Sequence, residues 1–481
     1  YAEGDSNTYQ GNYIGINAAG TGALGNVGNG IQFGFSFDNT IGSTTAGGGN
    51  VISGNGVDGI RSENSGRNTY LGNYIGTNAA GTAAVGNARY GIQMIYNNNR
   101  NNVIGGTTAG ARNVISGNGS YGMYVWDSQW NTIHGNYIGL NAAGTAALGN
   151  HWGIVFHSGV YGNLIGGTTA GAGNVVSGNR GGGIHFNGST SNTIQGNLIG
   201  TNPAGTAAIG NGEIGIQIYN GANNNVIGGT TSAARNIISG NGQYGIDVQT
   251  NTSGTQIQGN YIGTNAAGTS NVGNAWSGIR LIYSVTNTTI GGTAVGAGNV
   301  ISGNGHQGIY ISDSSSNFIQ ANYVGTNATG DAAIGNSQHG IYLTGSSSNT
   351  IGGNSAAARN IISGSGNQGL KLLNGSNNNS ISGNFFSLNA AGTAKLNNNW
   401  SNIMIVSSTG NTVGGTTAGA RNVIAGSNYD GVELEDASNN SVIGNYIGTN
   451  AAGTVALGVG RIGIYLRGSN NNIIGGSTAG M

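Results

Sequence analysis

A period constrains this chain before anything else does. The phrase Gly-Asn-Tyr-Ile-Gly, with small variations, places its asparagine at Asn12, Asn73, Asn136, Asn197, Asn260, Asn322, Asn384 and Asn445, 61 to 63 residues apart. A Gly-Ile step divides that unit again. It recurs from Gly30, Gly59 and Gly91 to Gly431 and Gly463 at intervals of 29 to 33 residues, with Asn402 once in the glycine's place. Self-similarity at such a period marks a solenoid, because a unit this short cannot bury its apolar face without a neighbour.

The segment after each glycine alternates with period two, as a half-buried strand does. Its first and third positions are apolar, as in Ile92 and Met94, Ile154 and Phe156, Ile184 and Phe186, or Ile341 and Leu343. Ser62, the third-position partner of Ile60, is the exception. The second and fourth positions vary freely through Gln32, Arg61, Tyr124, Asp247 and Lys371, and are expected to face solvent. Strands of four or five residues running the same way once per coil must stack on one another. The expected architecture is all-β, a right-handed parallel β-helix of about 15 coils, about 31 residues each, paired into 61 to 63-residue repeats. At about 4.8 Å per stacked strand it would be a single domain spanning residues 1–481, roughly 70 Å long.

Composition agrees with one uniform scaffold. There are 98 glycines, one proline (Pro203) and no cysteine, and only 6% of residues are charged, 14 basic against 14 acidic. Too few cations exist to track a phosphate backbone, so nucleic acid is not an expected partner. No apolar run reaches the eighteen or so residues that cross a bilayer, so membrane insertion is not expected either. Glycine and asparagine belong at the turns, where both tolerate positive φ. Asn68, Asn102, Asn131, Asn163, Asn192 and Asn225 fall at one turn, where their amides are expected to form a ladder.

Asn-Val-Ile-Ser-Gly-Asn at 113–118 and Ile-Gly-Thr-Asn-Ala-Ala-Gly-Thr at 262–269 resemble secreted bacterial surface proteins of the right-handed parallel β-helix repeat type, in the pectate-lyase-like solenoid superfamily. The resemblance spans the chain. It implies the fold and an extracellular or cell-surface location, but leaves function open, since the same scaffold serves polysaccharide lyases, hydrolases, epimerases and adhesive proteins.

The residues themselves favour a non-enzymatic structural protein, a rod or filament. Coil length never leaves 29 to 33 residues, whereas enzymes on this scaffold carry long loops that wall a cleft. No catalytic set is expected, nor a cofactor or metal, because cysteine is absent and His134, His151, His157, His185, His306 and His339 read as scattered surface imidazoles. If the chain were instead a polysaccharide lyase or glycoside hydrolase, Glu433 and Glu435 would supply its carboxylates and Arg467 its cation. The bland reading of that group, with Asp430 and Asp436, is a solvated acidic patch. Tyr121, Tyr124, Trp126, Trp152, His157 and His185 lie at strand spacing on successive coils. They read either as cover for strand edges or as a face that stacks on sugar rings, which makes a polysaccharide the candidate partner. The absence of an evident cap at Tyr1 or Met481 raises the expectation of end-to-end self-association, or of a longer parent chain.

Overall fold

The computed structural model describes residues 3–476. The chain divides into two compact units, residues 1–228 with 233–243, and residues 229–232 with 244–481. Each is a parallel β-solenoid of the same coil, about 31 residues per turn, with about 15 turns in the chain. The termini Tyr1 and Met481, on which the expectation of uncapped ends rests, lie outside the described residues.

Each coil contributes one strand to each of three sheets. In the N-terminal unit the first sheet opens with Thr8–Tyr9, Thr40–Gly42 and Thr69–Leu71. The second opens with Tyr13–Ile14, Val51–Ile52 and Tyr74–Ile75, and the third with Ile31–Gly34, Ile60–Glu63 and Ile92–Ile95. Pairing between these strands is parallel and in register, so equivalent residues stack: Ile31 on Ile60 on Ile92, and Ile104 on Ile133 on Ile165. The C-terminal unit repeats this with Ile279, Ile309 and Ile341. These inward columns are closed to water. Ser62 is buried as well, and the reason is local: Tyr70 replaces the usual isoleucine in the adjoining column of the first sheet, its ring fully enclosed beside the small serine. Burial pushes the Tyr70 phenol up to about 12.

The six ladder candidates come together. From Asn68 to Asn225 each backbone N–H donates to the amide oxygen of the next asparagine at 2.8 to 3.0 Å. Asn131 shows the full pattern: its Oδ1 accepts from the Asn102 backbone and amide, while its Nδ2 donates to Asn163 Oδ1 and to the Asn99 carbonyl. Two further ladders, which the sequence reading did not single out, occupy the other corners. Asn73, Asn113, Asn136 and Asn174 form one, and Asn87, Asn118, Asn150 and Asn179 the other. These ladders satisfy backbone N–H groups at the corners that no strand can pair.

The coil alternates because its extra residues leave at alternate corners. Loops such as 76–91 fold between the second and third sheets, and loops such as 106–113, with a 3₁₀ turn at Ala109–Ala111, between the first and second. The former stack on their counterparts two coils away: Ala79 N–H donates to Gly20 O, and Ala142 N–H to Gly81 O, both at 2.9 Å. Pro203 stands at the next such position and has no N–H to give. The loops cover the outward residues of the second sheet, so Tyr137, Leu140 and Val175 form an apolar cluster outside the solenoid's core.

The third sheet corrects one expectation. Asp247, assigned to solvent by alternation, is fully buried. Arg280 lies over it from the next coil, Nε and Nη2 donating to its two carboxylate oxygens at 2.8 Å, and the guanidinium stacks on Tyr244 at 3.9 Å.

The ladders make their own test. In the C-terminal unit Thr255 and Thr288 replace asparagine, and their buried hydroxyls have no hydrogen-bond partner. Thr288→Asn is expected to raise stability by about 1 kcal/mol, and Asn131→Ala, which orphans the Asn102 N–H, to lower it by about 2 kcal/mol. Shifts in the denaturation midpoint followed by circular dichroism check both; equal midpoints would remove the ladder as a stabilising element.

Candidate glycan-contact face

The third sheet presents its second and fourth strand positions, and the residue before each Gly-Ile step, outward. In the N-terminal unit these carry rings. Strand Tyr121–Trp126 pairs with Trp152–Phe156, which pairs with Ile184–Asn187, and the register sets Tyr124 beside Val155 and Val155 beside His185. The small Val155 leaves a hollow between taller neighbours.

Tyr121, Tyr124, Trp152, His157 and His185 line a cleft of about 340 Å³, completed by Val155, Asn187 and Gln217. Trp126, the sixth residue of the expected face, is outside it, exposed and packed on Tyr96 at 5.7 Å. One wall is a stack of Tyr90, Tyr121 and Tyr124 with centroids 4.9 to 6.1 Å apart and nearly parallel planes. Opposite, the Trp152 ring meets His185 edge-on at 5.1 Å. His157 sits 6.3 Å from Tyr124.

Trp152 is placed by a glycine the sequence reading passed over. Its indole lies across the Arg180-Gly181-Gly182-Gly183 turn, where a Cβ on Gly182 would come within 2.1 Å of the ring. Column neighbours one and two coils before Trp152 are Tyr121 and Tyr90, so the interruption of an aromatic column by a glycine was the available signal.

The polar groups of the cleft are engaged but not ion-paired. His185 Nδ1 and Gln217 Oε1 are 2.7 Å apart, and His157 Nε2 and Asn187 Nδ2 3.3 Å apart. Burial holds His185 below the ordinary imidazole range. Of the six histidines only His151 is exposed; the other five, expected as surface groups, are half-buried, and His185 and His306 pack on Trp152 and Trp276 of the preceding coil. Among the described residues no three of His, Cys, Asp and Glu gather where they could share a metal.

The carboxylate candidates lie in the C-terminal unit. Glu435 and Arg467 are partners in register and form an ion pair, and Glu433 accepts from Ser401 Oγ at 2.7 Å. Asp430 departs from the expected solvated patch: it is fully buried and clasped by Arg461, whose Nε and Nη2 donate to its two oxygens at 2.9 and 2.5 Å. A turn residue of one coil meets the turn residue of the next there, a pairing that strand alternation does not predict.

His339, packed on Tyr342 at 5.1 Å, is held down at about 4, first by burial and then by the Lys371 charge, against a hydrogen bond that the ring donates to Gln368. Its folded-state value lies below the unfolded one, so its contribution is complete above about pH 6.5 and is lost as pH falls toward 4. His339→Gln is expected to flatten the decline of Tm across that interval; an unchanged slope in thermal melts would assign the decline elsewhere.

Comparison with known proteins gives one family match. A model described as periplasmic copper-binding protein (NosD) matches residues 265–419. No curated protein matches the chain. Among solved structures, the mannuronan C-5 epimerase AlgE4 A-module of Azotobacter vinelandii is 13% identical, with 92% of this chain and 91% of that one covered and a TM-score of 0.34. The periplasmic alginate epimerase AlgG is 11% identical over 94% and 78%, with a TM-score of 0.28. A hyper-glycosylated TibA fragment is 11% identical over 98% and 99%, with a TM-score of 0.28. These matches are to parallel β-helix proteins, the architecture of each unit here.

Proposed function

We propose that this chain is a non-enzymatic, carbohydrate-contacting structural protein of the bacterial cell surface or envelope, and that its third sheet holds a neutral glycan in the cleft between Tyr124 and Trp152. The composition of that cleft carries the reading. Aromatic faces for the C–H faces of sugar rings stand on two sides, imidazole and amide groups for hydroxyls line the floor, and no lining residue is charged. Hydrolysis of a glycosidic bond ordinarily employs two carboxyl groups about 5 to 9.5 Å apart. The cleft lining contributes none, while the Glu435 and Glu433 carboxylates are occupied by Arg467 and Ser401. Copper, named in the family description, is not part of the reading: the chain has no cysteine, and the described residues gather no donor set.

A second reading, polysaccharide lyase chemistry, has one observation in its favour. The Tyr124 phenol and the His157 imidazole are adjacent, a pair able to exchange a proton with a bound ring.

Affinity electrophoresis through gels containing xylan, galactomannan or dextran separates the readings. At least one neutral polysaccharide is expected to retard the protein, with affinity falling about tenfold (~1.4 kcal/mol) in Trp152→Ala and unchanged in Trp400→Ala, an exposed tryptophan of the other unit. Retardation by none, or equal retardation of Trp152→Ala, would remove the proposal. New unsaturated ends in a polyuronate, abolished by His157→Gln, would establish the lyase reading instead.

A further inference from the structure

The chain has few cations, and several of its twelve arginines are spoken for. Arg61, Arg67, Arg280, Arg461 and Arg467 each pair with a carboxylate. Arg359 and Arg421 do not. Each follows a 3₁₀ turn, Ala356–Ala358 or Ala418–Ala420, and each lays its guanidinium flat on a ring of the next coil, 4.1 Å from Phe385 and 4.0 Å from Tyr446. In both, Nε donates to a backbone carbonyl at 3.1 Å, Gly383 O for Arg359 and Gly444 O for Arg421. The ring fixes the plane and the carbonyl fixes one edge. The other edge, Nη1 and Nη2, has no partner among the described residues.

Both arginines open into one cleft of about 340 Å³ over the second sheet, with Phe385, Ala390, Val423 and Ala451 among its lining and no carboxylate. Both are half-buried. Burial lowers the Arg359 guanidinium from its ordinary value, and no neighbouring charge opposes the shift. A partly desolvated cation without a counter-charge is costly, and an anionic ligand would offset that cost. A guanidinium held this way offers a planar fork suited to bidentate contact with a carboxylate or sulfate.

We infer that this cleft of the C-terminal unit is a binding site for an acidic polysaccharide, whose carboxylate or sulfate groups dock on Arg359 and Arg421 while its sugar rings lie on the apolar floor. The two arginines are two coils apart, roughly 10 Å, an interval spanned by two rings of an extended polysaccharide. Arg112 occupies the same repeat position in the N-terminal unit, stacked 4.0 Å over Tyr137 with its buried Nε unpartnered, so the element recurs. Nucleic acid fits less well, since tracking its closely spaced phosphates takes clustered cations and here they are isolated pairs. This inference does not rest on the third-sheet reading, which concerns the other unit and a neutral ligand.

The test uses the intact chain. Polygalacturonate supplies carboxylates, dextran sulfate supplies sulfates, unmodified dextran has neither, and single-stranded DNA is the competing polyanion. At least one acidic polysaccharide is expected to bind more tightly than dextran or DNA, with affinity falling as salt rises. The combined variant Arg359→Gln with Arg421→Gln is expected to lose tenfold or more, while Trp400→Ala, which lines neither cleft, changes nothing. In the unaltered protein, the acidic polysaccharide should protect Arg359 and Arg421 from phenylglyoxal labelling, read by mass spectrometry, and leave the exposed Arg100 reactive. That readout decides the matter even if the variant fails to fold. Unprotected arginines, undiminished binding by a folded variant, or preference for DNA would overturn the inference.

Discussion

Along three corners of the coil, columns of asparagine amides each accept from the backbone of the counterpart one coil back and donate to the one ahead. The rest of the molecule depends on that contact. Parallel strands leave the backbone unpaired wherever the chain turns, and buried unpaired groups cost more than a hydrogen bond returns. Three turns per coil would multiply that cost along the chain. The asparagine columns at Asn68 to Asn225, Asn73 to Asn174 and Asn87 to Asn179 remove it in the same way each time. They also impose register, since an amide can serve its neighbours only when coils align, and register in turn delivers Ile60 onto Ile92 and Ile279 onto Ile309.

Once the interior is settled by repetition, chemistry is left to the positions that repetition does not use. On the third sheet these hold rings and imidazoles at some coils and charge pairs at others. Charged side chains are rare, and two of the three fully buried carboxylates among the described residues are each matched by an arginine: Asp247 by Arg280, Asp430 by Arg461. In both the arginine comes from the following coil and lies against a tyrosine, Tyr244 or Tyr429, so hydrogen bonds and ring contact together offset desolvation. Arg359 and Arg421 keep the ring and lack the carboxylate. That difference separates a finished structural pair from a surface ready for an anion.

Strand alternation made much of this legible in advance. It placed Tyr124 and His185 on one face, because residues two apart on a strand share a side and parallel register carries that side from coil to coil. It also put Glu435 in one column with Arg467. It failed where a side chain leaves a turn instead of a strand. Asp430 and Arg461 sit just before the Gly-Ile step, and nothing in a period of two says which way they point. It failed again at Asp247, whose outward position became an interior when Arg280 closed over it.

The sequence by itself determined the coil, its length, its inward columns and the asparagine at its turns, because each is a local pattern repeated until only stacking can satisfy it. Tertiary structure alone decided what the loops cover, how Gly182 makes room for Trp152, and which arginines find a carboxylate. Those outcomes depend on the shapes of residues some thirty positions apart, brought together only when one coil lies on the next.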